Sequence, residues 1–296
     1  MISMITRIQD LVTQLNQASL AYYQEDRQIM SDLEYDRLYD ELKNLEEKTG
    51  FVLATSPTQK VGYEVVSQLT KATHPTPMLS LDKTKDPLAL ASFLGQEEGL
   101  LSWKLDGLTI VLSYQSGQLV EALTRGNGTV GENVTHNARV FKNVPLTVAE
   151  KAPFSIRGEA VISFKDFEAI NAQEEVKYKN PRNLCSGAVR QLNSEVTAKR
   201  HVAFYAFGLV SSAQSSQADS TSKSQQLEWI KAQGFDIAHY DLVNQDTVAE
   251  KVQRFKEAVA TYPLATDGLV LTYNDIAYSE SLGATSKFPK DSMAFK

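Results

Sequence analysis

The sequence predicts an α+β protein in two parts, a small N-terminal helical hairpin followed by a larger domain of antiparallel sheets. In the first fifty residues apolar side chains recur at helical spacing, whereas later segments are short apolar and β-branched runs separated by turns. The later helices do not alternate regularly with the strands, which argues against a parallel βαβ sheet. We therefore predict two domains, over residues 1–70 and 71–296.

Composition narrows the classes of protein that fit. The chain has 296 residues with 42% hydrophobic and 22% charged residues, which is typical of a globular protein. Cys185 is the one cysteine, so the chain can form neither an internal disulfide nor a four-cysteine zinc site. No apolar stretch approaches the ~20 residues that cross a bilayer, and no signal peptide is visible, so we expect a cytoplasmic protein without a membrane partner. The net charge of −6 predicts that this chain alone holds any nucleic acid weakly.

The periodicity places the individual elements. We predict helices over residues 4–22 and from Ser31, where Ser31 and Glu34 form a capping box. Residues 51–78 are predicted as loop, and the Ser/Gln/Ala-rich residues 211–225 as a surface insertion. A first strand run is predicted over residues 100–114, with an interruption at 104–107. The further predicted strands are 119–124, 154–162, 201–209 and 268–273. The later predicted helices are 227–233 and 248–262.

The helical hairpin carries an acidic and aromatic face. Asp32, Tyr35 and Asp36 share one side of the second helix, and Tyr22 and Tyr23 end the helix before it. Two carboxylates with aromatic rings suit a flat cation such as a pyridinium ring. The alternative is that the aspartates complement the helix dipole and the tyrosines are core residues.

The sharpest chemical signal is Lys104-Leu-Asp106-Gly107, because a lysine among apolar residues can lose its proton and become a nucleophile. Burial is expected to lower its pKa. The alternative is a solvent-exposed lysine at a strand end, paired with Asp106. Arg125 opens a glycine-rich loop that either cradles phosphate or merely turns the chain. Glu159 either enters a pocket or forms a surface ion pair, and the spread of Arg182, Arg190 and Arg200 between predicted strands is typical of surface residues.

Taken together and in order, these motifs resemble the N-terminal part of bacterial NAD-dependent DNA ligases. The hairpin motif from Ser31 resembles the helix of that family that binds nicotinamide mononucleotide (NMN). Lys104-Leu-Asp-Gly resembles the motif whose lysine becomes adenylated. The other matching motifs are Ser56-Pro-Thr-Gln-Lys-Val-Gly, Pro77-Met-Leu-Ser-Leu, Thr124-Arg-Gly-Asn-Gly-Thr-Val-Gly-Glu-Asn-Val-Thr, Arg157-Gly-Glu, Asn180-Pro-Arg-Asn and Asp267-Gly-Leu-Val.

The resemblance implies a nucleotidyltransferase domain of the ATP-grasp-like ligase type and a reaction with NAD. Lys104 would attack the α-phosphorus and expel NMN, and AMP would then pass to a 5′-phosphate in nicked double-stranded DNA. Asp106 would orient the lysine or Mg²⁺, and Glu159 would hold the ribose. The residues implied to bind phosphates are Arg125, Arg182, Arg190 and Lys296, with Arg200 as a further candidate. The implied NAD-binding residues are Tyr22, Tyr23, Asp32, Tyr35, Asp36, Ser80, Leu81, Arg125, Glu159, Arg182, Arg190, Arg200, Asp267 and Lys296.

Four positions depart from the family pattern. Ser102 stands where the family has glutamate, Val259 where it has arginine, Thr272 where it has lysine, and Asp291 where it has tryptophan. These departures keep open an alternative function, a catalytically impaired NAD-binding paralogue. An ATP-using ligase or capping-type nucleotidyltransferase would share the lysine motif but not the acidic hairpin. Because the family continues past Lys296 into further DNA-binding modules, self-adenylation is the activity expected of this chain.

Overall fold

The computed structural model describes residues 2–23, 28–53, 56–58, 69–212 and 220–296. It confirms the α+β class, with a helical hairpin followed by antiparallel sheets. Residues 54–55 and 59–68 of the predicted loop and residues 213–219 of the predicted insertion lie outside the described residues. In the described part of the chain, no helix is both long enough and apolar enough to cross a membrane.

The hairpin consists of α1 (Ile2–Tyr23) and α2 (Asp32–Thr49). The Ser31 hydroxyl accepts a hydrogen bond from the Glu34 N–H, which confirms the predicted cap. Gly50 ends α2 in the left-handed conformation, with φ 65°. The two helices pack through a small apolar core of their own, formed by Ile8, Leu11, Val12, Leu15, Leu38 and Leu42.

Three sheets make up the described larger part. The strands are β1 (Lys71–Thr73), β2 (Asp82–Thr84), β3 (Gly99–Leu105), β4 (Leu108–Gln115), β5 (Gln118–Thr124), β6 (Val130–Glu132), β7 (Phe154–Val161), β8 (Ala203–Ser212), β9 (Tyr240–Val243), β10 (Thr266–Tyr273) and β11 (Ser292–Phe295). One sheet has the order β2-β11-β10-β3-β9 and another the order β5-β4-β7-β8, while β1 pairs with β6. Apart from the parallel pair β11 and β2, the pairings between these strands are antiparallel.

Helices pack around the two larger sheets. They are α3 (Pro87–Leu94), α4 (Thr135–Ala138), α5 (Phe164–Gln173), α6 (Pro181–Val189), α7 (Ser194–Lys199), α8 (Lys223–Ala232), α9 (Val248–Ala258) and α10 (Ile276–Leu282). The helix predicted to reach residue 262 ends at Ala258 and continues as a 3₁₀ turn, Val259–Thr261. Each larger sheet has its own apolar core, so the two cores leave a polar cleft between the sheets.

The sequence Leu105-Asp-Gly-Leu108 carries the chain from one large sheet into the other. β3 and β4 were predicted as one interrupted run, and the interruption is the place where the chain changes sheet. Gly107 is required there because an added Cβ would lie 1.9 Å from the Ala160 carbonyl oxygen. The crossing puts the end of β3 at the floor of the cleft.

Candidate functional site

The cleft floor is built by alternation along β3. Leu101, Trp103 and Leu105 are buried in the core of the five-stranded sheet. Side chains on a strand alternate between its faces, so Ser102 and Lys104 face the other way and line the cleft. The apolar neighbours that predicted a desolvated lysine therefore lie on the opposite face of the sheet from Lys104.

Lys104 is the centre of a cluster of opposite charges. Its Nζ donates to Asp267 Oδ2 at 3.2 Å, and Lys296 Nζ lies 2.5 Å from the same oxygen. Asp267 lies on β10, and Lys296 directly follows the neighbouring strand β11. The structure thus brings together three predicted site residues from distant parts of the sequence.

The expectation of a lowered pKa for Lys104 is wrong. Burial is the largest effect on Lys104 and acts to lower its pKa, but Asp267, Glu159 and Asp106 outweigh it and the pKa is raised. Conversely, burial acts to raise the pKa of Asp267, but Lys104 and Lys296 outweigh it and hold that pKa below its ordinary value. Free Lys104 is therefore an ammonium, held in place by a carboxylate.

Asp106 and Arg182 form the second ion pair of the site. Arg182, near the start of α6, donates to Asp106 Oδ1 at 2.6 Å. Burial raises the pKa of Asp106 to about 6. Burial also lowers the pKa of Arg182 to about 10, so both partners carry a desolvation cost. Arg182 lines the cleft, which makes its guanidinium available to an anion.

Glu159 is fixed at the junction of the two sheets. Its carboxylate accepts hydrogen bonds from the Gly107 N–H at 3.1 Å and the Thr109 hydroxyl at 2.8 Å. The side chain lines the cleft and is buried, and burial raises the pKa of Glu159 to about 7. The structure favours the pocket interpretation of this residue over the surface ion pair.

The glycine-rich loop after β5 places Arg125 on another wall of the cleft. Arg125 donates to the Ser80 hydroxyl at 3.1 Å, and Ser80 and Leu81 also line the cleft. His74 Nε2 lies 3.0 Å from the Thr124 carbonyl oxygen and 3.2 Å from that of Arg125. Since both partners are acceptors, this nitrogen carries the proton and ties the loop to the segment before Ser80.

The hairpin closes one side of the cleft with its acidic face. Asp36 lies 3.3 Å from Lys83 Nζ and 3.8 Å from Lys296 Nζ, so α2 reaches the charges around Lys104. Tyr35 lines the cleft and shares a hydrogen bond of 2.9 Å with Ser19. Asp32 accepts a hydrogen bond from Gln28, and burial raises the pKa of Asp32. The side chains of the predicted residues Tyr22 and Tyr23 lie outside the described part of the structure.

Two of the predicted arginines lie away from the described lining of the cleft. Arg190 donates to Glu132, a buried carboxylate, at 2.9 Å. Arg200 donates to Glu174 at 3.0 Å and lies over the ring of Tyr178. Each guanidinium has a carboxylate partner within the protein, so a phosphate-binding role for either one stays a prediction.

Several cleft residues were missed by sequence reasoning. Lys287 Nζ lies over the ring of Tyr39 from α2, 4.1 Å from its centroid, and burial lowers the pKa of Lys287 to about 8. Phe207 and Arg157 line the wall formed by β8 and β7. Lys223 and Asp291 form an ion pair there. The sequence signal for Arg157 was its place beside Glu159, and Asp291 was noted only as a departure from the family pattern, whereas no motif marked Lys287, Phe207 or Lys223.

The four family departures occupy different places. Ser102 and Thr272 line the cleft floor, and Thr272 shares a hydrogen bond with Ser292 at 3.0 Å. Asp291 lines the cleft as the partner of Lys223. Val259 is exposed in the 3₁₀ turn. Within the described residues, no group of three or more His, Cys, Asp or Glu side chains could hold a metal ion.

Comparison with known proteins agrees with this geometry. The site is a lysine at the floor of a cleft that also collects cationic side chains, an arrangement that suits a phosphorylated ligand. The family model for the NAD-dependent DNA ligase adenylation domain matches residues 66–296, and the model for the DNA ligase-like N-terminal NAD⁺-binding domain matches residues 1–62. The chain belongs to the NAD-dependent DNA ligase family. The predicted division at residue 70 stays a prediction.

Curated relatives match nearly the whole chain. A DNA ligase of Lachnoclostridium phytofermentans is 56% identical over 98% of this chain and 45% of its own length. One of Ruminiclostridium cellulolyticum is 54% identical over 99% of this chain and 45% of its own length. The chain therefore spans about half the length of these relatives. Among solved structures, an archaeal ATP-dependent RNA ligase covers 68% of this chain and 46% of its own, with 14% identity and a TM-score of 0.43.

Proposed function

We propose that this chain transfers AMP from NAD to Lys104. The observation that carries the proposal is the cluster in which Asp267 holds both Lys104 and Lys296 at the floor of the cleft. One carboxylate thus positions the attacking amine beside a cation that can neutralise phosphate charge. Family membership supports the same step, because the matching model is that of an adenylation domain.

In the proposed step, Lys104 Nζ forms a bond to the α-phosphorus. The bond from that phosphorus to the bridging oxygen breaks, and the oxygen keeps the electron pair as NMN leaves. Lys104 must first lose a proton, and Asp267 Oδ2 is the acceptor within reach. Because Lys104 and Lys296 depress the pKa of Asp267, this proton transfer is unfavourable in the free protein. We infer that substrate phosphates relieve the cost by drawing Lys296 away from Asp267.

The remaining cleft residues divide between the two halves of the substrate. Arg125 and Arg182 face the cleft and would neutralise charge at phosphorus, and Glu159 would accept from ribose hydroxyls. On the NMN side, Lys287 has no carboxylate within ion-pair distance in the described part of the chain, so a substrate phosphate would supply the missing anion. The acidic face with Asp32, Tyr35 and Asp36 would receive the cationic nicotinamide ring.

Magnesium is a further part of the proposal. Asp267 lines the cleft and Asp106 pairs with the cleft residue Arg182, and the described side chains form no three-ligand cage. Mg²⁺ characteristically binds through one or two carboxylates with substrate phosphates and water, so these residues fit a metal that arrives with the nucleotide. The metal would supply positive charge to the phosphates.

Transfer of AMP from Lys104 to a 5′-phosphate of nicked double-stranded DNA, and nick sealing, are proposed from the family alone. With a net charge of −6, this chain alone is expected to bind DNA weakly. A cytoplasmic location without a membrane partner belongs to the same proposal. Relatives named DNA ligase at 56% and 54% identity give the alternative of an impaired paralogue no support.

Intact-mass spectrometry tests the proposal. The purified chain is first treated with excess NMN, which removes AMP already attached, and is then incubated with Mg²⁺ and either NAD or ATP. We expect the mass of one AMP to be added with NAD and little or none with ATP. Addition from ATP alone would favour an ATP-using nucleotidyltransferase. Saturable NAD binding without any adduct would favour a non-catalytic module.

A further inference from the structure

A polar cluster lies in the cleft at a distance from Lys104. Lys223, the first residue of α8, pairs with Asp291, which immediately precedes β11. The Ser292 hydroxyl donates to the other carboxylate oxygen of Asp291 at 2.9 Å. Side-chain exposures of 25% for Lys223 and 22% for Asp291 show that the pair is largely covered yet open to the cleft. The adenylation step uses neither residue.

The spacing along the sheet separates this cluster from the attacking amine. Asp267 contacts Lys104, whereas Thr272, five residues further along β10, pairs with Ser292 beside Asp291. Five residues of strand span roughly 16 Å. Side chains extend inward from the Lys104 end and from the Asp291 end of this stretch. The space between these side chains therefore matches the length of a nucleoside monophosphate. With the phosphorus at Lys104, the base would lie beside Lys223 and Asp291.

The wall above this stretch of the floor offers an aromatic surface. Phe207 on β8 lines the cleft and is 38% exposed, although it is a large apolar side chain. An exposed ring in a cleft is a stacking surface for a flat base. Arg157 lies 5.6 Å from its centroid, and the buried Nε of Arg157 has no hydrogen-bond partner among the described residues. This end of the cleft thus offers an aromatic ring on which a base can stack and a buried N–H group that can donate a hydrogen bond to a ligand.

We propose that Asp291 and Lys223 read the edge of the adenine base of NAD, Asp291 accepting from the 6-amino group and Lys223 donating to N1. This inference rests on the proposed function, because the base is placed by the attack of Lys104. A carboxylate has four lone-pair sites and an ammonium three donors, so their mutual contact leaves capacity for a base. The pair is therefore a specificity determinant.

The chemistry of the pair predicts rejection of 6-oxo purines. Hypoxanthine carries a carbonyl oxygen in place of the amino group and an N–H in place of the N1 acceptor. Asp291 would then face an oxygen and Lys223 a donor, so both contacts become repulsive. Sites built to hydrogen-bond one pattern discriminate strongly against the reverse pattern, because their polar groups are left unpaired.

The test compares NAD with its deaminated analogue, nicotinamide hypoxanthine dinucleotide, in AMP or IMP addition to the whole chain. We expect the parent to prefer NAD at least tenfold. Asp291→Asn should bring the ratio close to one, because an amide can donate to the carbonyl oxygen, and Lys223→Gln should also lower it. Asp241→Asn and Lys251→Gln are matched controls, since that pair has a contact of 3.2 Å and exposures of 30% and 24%.

A merely structural role would slow both substrates equally and leave the ratio unchanged, which would overturn the inference. Thermal unfolding identifies variants that have lost their fold. Where a variant has lost its fold, the inference is tested on the unsubstituted chain alone. Equal affinity of that chain for adenosine and inosine would also overturn the inference. If the parent forms no adduct with either dinucleotide, the proposed function fails, while the comparison of adenosine with inosine still tests the base contact.

Discussion

Asp267 Oδ2 lies 3.2 Å from Lys104 Nζ, across 163 residues of sequence. The same oxygen lies 2.5 Å from Lys296 Nζ, so one carboxylate sets the position of both cations. Replacing it should therefore disturb the nucleophile and its neighbouring phosphate ligand together.

Asp267→Asn should slow adenylation of Lys104 on the order of a hundredfold or more, since it removes the positioning group and the proton acceptor. It should also destabilise the chain by about 1–3 kcal/mol, because two partly buried ammonium groups lose their anion. Single-turnover adduct formation and urea unfolding measure the two effects. Asp241→Asn, which breaks an ion pair outside the described cleft lining, serves as the control. A variant that adenylates at the parental rate would contradict this role.

Asp36→Asn should weaken adenylation by NAD while sparing the binding of adenosine. The carboxylate links α2 to Lys83 and Lys296, so its loss should loosen the hairpin and remove a charge from the proposed NMN side. Tyr22→Ala and Asp32→Ala are predicted to act in the same direction. Titration of NAD and of adenosine onto each variant provides the measurement. Glu47→Gln, an exposed change on the same helix, is the control, and an equal effect from it would exclude a specific role for Asp36.

Glu159→Gln should alter how stability depends on pH. Burial raises the pKa of Glu159 from 4.5 to about 7, so the folded state favours the protonated form. The resulting stability is present below the ordinary pKa and is lost as pH rises through 7, by an amount on the order of 3 kcal/mol. Glutamine cannot ionise. The variant should therefore gain stability relative to the parent between pH 4.5 and pH 8 in denaturant titrations.

Glu168→Gln, at an exposed position on α5, should show no such gain across the same pH range. A Glu159→Gln variant whose stability runs parallel to that of the parent at every pH would show that Glu159 ionises normally in the fold.

Val259→Arg with Thr272→Lys should raise the rate of Lys104 adenylation, because a cationic donor at residue 272 would bind the base end of the substrate, about 16 Å along β10 from Lys104, and so position the α-phosphorus for attack. Thr272 lines the cleft floor, whereas Val259 is exposed in the 3₁₀ turn. We expect Thr272→Lys to carry the gain, about tenfold or more, and Val259→Arg to add little. Thr272→Met supplies similar length without charge. No gain from the double variant, or an equal gain from methionine, would refute the charge argument.

Local sequence signals predicted much of the fold. Ser31 caps α2 as expected, and the turn at residues 115–118 joins β4 to β5. These features depend on a few neighbouring residues, so periodicity and turn chemistry suffice to predict them. The predicted end of the helix at residue 262 was wrong by a few residues, because the chain tightens into a 3₁₀ turn after Ala258.

Electrostatic relationships across the fold escaped prediction. The raised pKa of Lys104 depends on Asp267 and Glu159, whose approach is decided by sheet order. In the same way, the pairing of Arg190 with Glu132 and of Lys223 with Asp291 joins segments that no motif connects. Resemblance supplied residue roles that spacing alone left open, including that of Lys296.

The most direct test of the central claim is to locate AMP on the chain after incubation with NAD and Mg²⁺. Peptide mass mapping should place a single AMP on the peptide that contains Lys104. Lys104→Ala should abolish the adduct while leaving the chain folded, and the exposed control Lys290→Ala should behave as the parent. AMP on Lys287 or Lys296 instead, or an adduct that survives Lys104→Ala, would contradict the account.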